Sequence, residues 1–321
     1  MTPDPSLTLW HWCAALLGVA ANASATLPLM AALALILGRR GHAAFCLAGA
    51  AALARLGLAL SAAWPALVAG DALVQLSRLP DATLARRLAV FFTPAGAGIS
   101  LSVAVWCAGM ACAFVGLRAC ARAAAALPPG TDNYSARAIS VPLAALLAAA
   151  ACALAAFALR NWPFAGLPPG MDAWRAAGTV LKHAFRAYFA ALASGGAVGL
   201  PLAAGAARRG SFHGSLTTAE AVGGVRWCAV WAVAGCLPQL LERWGVALGL
   251  LLRGGGPPVP GNPHAVLFQL VPLALLTLAC TAWAALLGRR EPLRMLPLAP
   301  TGLALLILAV SAPPALALMV R

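Results

Sequence analysis

Of the chain's 321 residues, 62% are hydrophobic and only 9% are charged, with a mean hydropathy of +0.88. Soluble domains carry about 25% charge, so this composition excludes a soluble enzyme and points to a polytopic membrane protein. The net charge of +14 would suggest nucleic acid as a partner in a soluble chain. Here the arginines stand singly or in pairs at the ends of apolar runs, where they meet the headgroups of the lipid bilayer, and a nucleic-acid partner is excluded.

Eight apolar runs follow in chain order, at roughly 12–37, 43–68, 89–117, 138–159, 181–207, 226–251, 265–288 and 297–320. Each is long enough to cross about 30 Å of hydrocarbon at about 1.5 Å per residue. None alternates in period two, so helices rather than barrel strands are expected. The first run opens on Trp10-His11-Trp12, passes Asn22-Ala23-Ser24 and Leu27-Pro28-Leu29, and closes on Arg39-Arg40-Gly41. The second holds Arg55 about a dozen residues in. The third begins with Ala89-Val90-Phe91-Phe92 and carries Trp106 and Met110; the fourth follows it closely. Leu167-Pro168-Pro169-Gly170 is a turn-rich joint. The fifth run opens with His183 and Arg186, thins at Gly195-Gly196, and passes Leu200-Pro201-Leu202 to Arg208-Arg209-Gly210. The sixth begins at Arg226 and carries Leu237-Pro238-Gln239 and then Glu242-Arg243. The seventh starts at Ala265-Val266-Leu267-Phe268 and contains Trp283.

Several of these marks recur at an offset between 169 and 177 residues, which reads as one four-helix unit written twice, 1–166 and 167–321. The other reading is chance self-similarity of an Ala/Leu-rich chain. Four helices per half is an even number, so the halves would be parallel, related by an axis along the membrane normal. With the N-terminus outside, the inner loops hold eleven arginines and the outer loops ten basic residues, nearly a tie. The tight pairs at 39–40, 208–209 and 289–290 all end odd-numbered helices and favour N-out and C-out. The first run lacks a basic n-region and a small-residue cleavage site, so it reads as a retained helix. The nine cysteines include no C-x-x-C pair and read as small packing residues.

Few residues could carry chemistry. Arg55 lies well inside hydrocarbon, where a charge costs from about 2.5 kcal/mol upward. It either meets an anion, such as a cofactor propionate, a quinone oxygen or a substrate carboxylate, or it forms a structural ion pair or snorkels to the interface. Glu242 is the one carboxylate read as well inside a run. It is either a proton carrier or a counter-charge, or it is interfacial if the run ends near Pro238. His11 and His183 open the first and fifth helices, and neutral imidazole is a common axial ligand for haem iron; interfacial histidines without a ligand are equally ordinary. Asn22, in mid-membrane, needs a hydrogen-bond partner and should face the bundle. There is no Walker loop, G-x-S-x-G or H-E-x-x-H motif.

The stretch from Lys182-His183-Ala184-Phe185-Arg186-Ala187-Tyr188 through Gly195-Gly196 to Arg208-Arg209-Gly210, together with Trp10-His11-Trp12, resembles the haem-bearing subunit of cytochrome bd quinol oxidases and its shorter relatives. The resemblance covers the topology and some fifty residues, and its motifs are low in specificity. It implies four-helix units, an outward N-terminus in a bacterial-type inner (plasma) membrane, and haem-ligating histidines near the outer ends of the first and fifth helices. Arg186 falls where the resemblance would put the haem histidine, and His183 lies one turn earlier. No quinol-binding loop of family length is present. Glu242 is the lone candidate among the membrane carboxylates that an oxygen-reducing site requires, so an oxygen-reducing oxidase is not expected. The leading expectation is therefore an integral subunit of a respiratory electron-transfer assembly that binds quinol or b-type haem and passes electrons to partner subunits. His11 and His183 would be axial ligands, Arg55 and Arg186 would hold propionate or quinone oxygens, and Glu242 would relay protons. A small-solute transporter and a non-catalytic membrane scaffold or assembly subunit are the alternatives, and whether the chain is an enzyme stays open.

Overall fold

An apolar segment in lipid finds no water for its backbone groups, and a helix satisfies them within the segment. The computed structural model describes residues 5–38, 42–77, 94–127, 134–162, 171–209, 217–252 and 265–319, and no strand occurs among them. The described helices are α1 Pro5–Leu37, α2 Ala43–Leu60, α3 Ala63–Ser77, α4 Pro94–Ala125, α5 Ala136–Arg160, α6 Ala173–Arg209, α7 Thr218–Leu252, α8 Ala265–Gly288 and α9 Leu298–Met319. A 3-10 turn, Pro292–Met295, precedes α9.

Seven spans are long and apolar enough to cross a membrane when α2 and α3 are taken as one bent span, and Leu298–Ala312 in α9 is a shorter apolar helix. The protein is thus all-α and polytopic, as expected. The second run continues to Ser77 rather than stopping near residue 68, and Asp71 within it is a helical residue paired with Arg160. The helices of the fifth and sixth runs begin earlier than expected, at Ala173 and Thr218 rather than near 181 and 226. The sixth keeps its expected end, since α7 continues through Pro238 to Leu252.

The described chain forms two compact units, Ala21–Ala191 and Met1–Ala20 with Leu192–Arg321. Both boundaries fall inside long helices, α1 and α6. The repeat halves, 1–166 and 167–321, follow the sequence, whereas this division follows packing.

In the Ala21–Ala191 unit, α4 packs chiefly against α5, and α2 packs against α4. Glycines set the closeness of the first contact. A Cβ on Gly109 would lie 2.8 Å from Cys152 Cβ, and one on Gly116 would lie 2.8 Å from Leu146 Cγ. Gly57 of α2 does the same against α1, with Leu27 Cβ at 3.3 Å and Pro28 Cδ at 3.6 Å from a Cβ placed there. Small residues give association in lipid through close van der Waals packing, since apolar burial drives little there. Thr26 Oγ1 donates to Ala191 O at 3.1 Å, and Tyr188 Oη donates to Ala25 O at 3.4 Å, tying α1 to α6. Asn22 is only half-buried, and the interhelical hydrogen bond expected of it is made one turn later by Thr26. At one end of the unit Tyr134 donates to Leu35 O over Gly38.

In the other unit, α8 packs on both α7 and α9. The 192–209 segment of α6 meets α7 backbone to backbone. A Cβ on Gly196 would lie 2.7 Å from Ala232 Cα, and one on Gly235 would lie 2.8 Å from Ala193 Cα. The crossing is antiparallel, with a small residue three positions from each glycine. Arg226 Nη2 donates to Arg289 O at 3.0 Å, at the end of α8, where a cation complements exposed helix carbonyls.

Candidate functional site

The α2–α3 segment is bent for a reason visible in its sequence. Proline has no N–H, and its ring crowds the carbonyl four residues earlier. Pro65 therefore leaves Ser61 O without its helical donor, and α2 gives way to α3 at residues 61–62. Trp106 of α4 fills the vacancy, donating from Nε1 to Ser61 O at 3.0 Å.

An aromatic row continues from that bond. Trp64 and Trp106 stack at 5.2 Å between centroids with 22° between planes. Phe157 of α5 lies 5.0 Å from Trp64, and Tyr188 of α6 lies 6.3 Å from Phe157. Arg160 closes the row, its guanidinium 5.3 Å from the Trp64 ring centre and its Nη2 2.8 Å from Asp71 Oδ2. Both charged side chains are about one-third exposed, at 32% and 34%. The sequence reading missed this cluster. The available signal was Asp71 itself, one of only eight acidic residues.

The row holds the inner side of the bent span, where Ala63, Trp64, Val68 and Ala72 are buried. Its outer side is a stripe of Arg55, Ala59, Ala62, Ala66, Ala69 and Leu73, all exposed. Arg55 follows Ala43 by 12 residues and precedes Asp71 by 16, or about 18 and 24 Å at about 1.5 Å per residue. It therefore stands near mid-depth of the span. No hydrogen bond or ion pair joins it to another described residue.

The other residues singled out from sequence are placed as follows. His183 and Arg186 lie one turn apart on α6, both exposed, beside the exposed Phe185 and Phe189. Glu242 is an exposed residue of α7 and is engaged in an interaction. His11 belongs to α1, but its side chain lies outside the described residues. Met110 is buried in α4. Among the described residues no group of three or more His, Cys, Asp or Glu side chains gathers as metal ligands would.

No family model matches the chain, and neither a curated protein nor a solved structure is similar to it.

Proposed function

We propose that this chain is an integral subunit of a larger membrane assembly, and that a transmembrane helix of a different subunit docks on the α2–α3 face with an acceptor group opposite Arg55. The observation that carries the reading is Arg55, exposed on a stripe of alanines at mid-depth and joined to no other described residue. An arginine there costs from about 2.5 kcal/mol upward unless it is paired or solvated. A stripe of small residues lets another helix approach closely. The five described carboxylates are already engaged: Asp71 with Arg160, Asp172 with Arg175, Glu291 with Arg294, Glu220 with Thr217, and Glu242 in a further interaction. On a second copy each described carboxylate would have to leave its present partner to reach Arg55, which favours an unlike subunit.

Arg55→Leu tests this. Tagged wild-type chain, extracted in mild detergent from its native membrane, should carry a stoichiometric partner, and Arg55→Leu should lose it while keeping its own fold. A wild-type chain that purifies alone, with the same size and stability as Arg55→Leu, would overturn the reading.

A more specific form of the proposal makes the assembly respiratory, in a bacterial-type inner membrane with the N-terminus outside. The adjacent, exposed His183 and Arg186 favour it, since one could ligate haem iron and the other hold a propionate, with Phe185 and Phe189 as apolar neighbours. A dithionite-reduced minus oxidised spectrum of the purified assembly should then show a b-type alpha band that His183→Ala bleaches. A flat spectrum at full occupancy removes the haem and leaves the subunit reading standing.

A further inference from the structure

The last two turns of α4 and the first two of α5 leave an open groove of about 510 Å³. Binding clefts for small ligands run from about 300 to 1,000 Å³. Its walls are small and apolar, with Ala119, Ala123 and Ala126 on one side and Val141 and Pro142 on the other. Arg122, exposed in the last turn of α4, stands at the rim. The groove exists because Ala119 and Ala123 of α4, and Ala126 just past its end, are alanine, where leucine would fill it. Tyr134 also borders it, but its hydroxyl is directed to Leu35 O.

Depth decides what can occupy the groove. It begins at the helix ends, at the level of Arg122 in the last turn of α4 and Arg137 in the first turn of α5, where basic residues meet headgroups. From Ser135 to Pro142 it descends seven residues, or about 10 Å at about 1.5 Å per residue, into the hydrocarbon layer. An occupant must therefore be anionic at one end and a hydrocarbon chain at the other. We propose that the groove is a binding site for an anionic phospholipid, with the phosphate on Arg122 at the level of Ala123 and an acyl chain descending along Ala119, Val141 and Pro142.

Native mass spectrometry of the full chain in detergent, titrated with phosphatidylglycerol and with phosphatidylcholine of the same acyl chains, tests the site. Wild-type protein should prefer phosphatidylglycerol by about fivefold, the worth of one basic residue near a lipid phosphate. Arg122→Gln should abolish the preference. Ala123→Leu, which fills the groove and keeps the arginine, should release both lipids. Ala119→Leu, one turn deeper on the same wall of α4, repeats that arm should Ala123→Leu misfold. Equal affinity of the wild-type chain for the two lipids overturns the proposal. So does a preference that survives filling of the groove, because the contact would then be with headgroups alone.

Discussion

Trp106 donates its indole N–H to Ser61 O, the carbonyl that Pro65 strips of its helical partner. A buried carbonyl in an apolar surrounding costs about 1–3 kcal/mol when unmet. The bend in α2–α3 and the indole of α4 are thus two halves of one solution, and Trp64, two residues beyond the bend, stacks on the same indole.

Trp106→Phe keeps an aromatic ring and removes the donor. It should lower stability in detergent by about 1–3 kcal/mol, read as a fall in thermal unfolding temperature. Pro65→Ala restores a backbone N–H four residues after Ser61, so Trp106→Phe should cost measurably less in that background. Additive effects of the two substitutions would show that the hydrogen bond contributes nothing.

Trp64→Phe supplies the contrast. The Trp64 Nε1 is buried without a hydrogen-bond partner among the described residues, so its loss orphans no carbonyl there. The substitution removes ring area and weakens the contact with Arg160, a cation–π interaction of about 0.5–1 kcal/mol at partly exposed sites. Trp64→Phe should therefore destabilise less than Trp106→Phe in the same thermal assay. The reverse order would mean that stacking rather than the Ser61 bond holds the bend.

The same two residues mark what a sequence can and cannot disclose here. The eight runs and their helical state follow from apolar length, because lipid leaves the backbone one local solution. Arg55 stands out as a lone charge in hydrocarbon. Its outward direction is not legible, since core and lipid are equally apolar and alanine, leucine and glycine surround it on every side. Asp71 looks like a loop residue until Arg160, 89 positions away, is found against it. Pro65 and Pro238 stand 173 residues apart, within the offset range of the other recurring marks, yet their surroundings differ. α2–α3 breaks near Pro65, whereas α7 runs on through Pro238. Trp106 has its acceptor, whereas the Trp283 Nε1 has none and its ring is buried against Gly302. Side-chain partners separated by whole helices decided these outcomes, and periodicity carries no trace of them.

Asp71→Ala removes the partner of Arg160 at a site about one-third exposed. Exposed ion pairs are worth about 0.2–1 kcal/mol, so the substitution alone should lower stability by no more than about that. Exchanging the two residues, Asp71→Arg with Arg160→Asp, should recover part of the loss, although the cation would leave the Trp64 ring. Thermal unfolding of the two singles and the exchange gives the coupling directly, and a coupling of zero would reduce the pair to a coincidence of two interfacial charges.

The α6–α7 crossing offers the sharpest test of packing. A methyl group on Gly196 meets the backbone of Ala232, and one on Gly235 meets that of Ala193. Backbone cannot rotate aside as a long side chain can, so the helices must separate. Overpacking of this kind costs about 1–3 kcal/mol, occasionally more. Gly196→Ala and Gly235→Ala should each destabilise by at least that amount, and together by less than the sum, because one separation relieves both clashes. Gly178→Ala is the internal control. It lies in α6 with nothing within 4 Å of its added methyl, and alanine favours a helix over glycine by about 1 kcal/mol. Unfolding temperatures should therefore fall for the first two variants and hold or rise for the third. A neutral Gly196→Ala would mean that α6 and α7 do not cross at this separation.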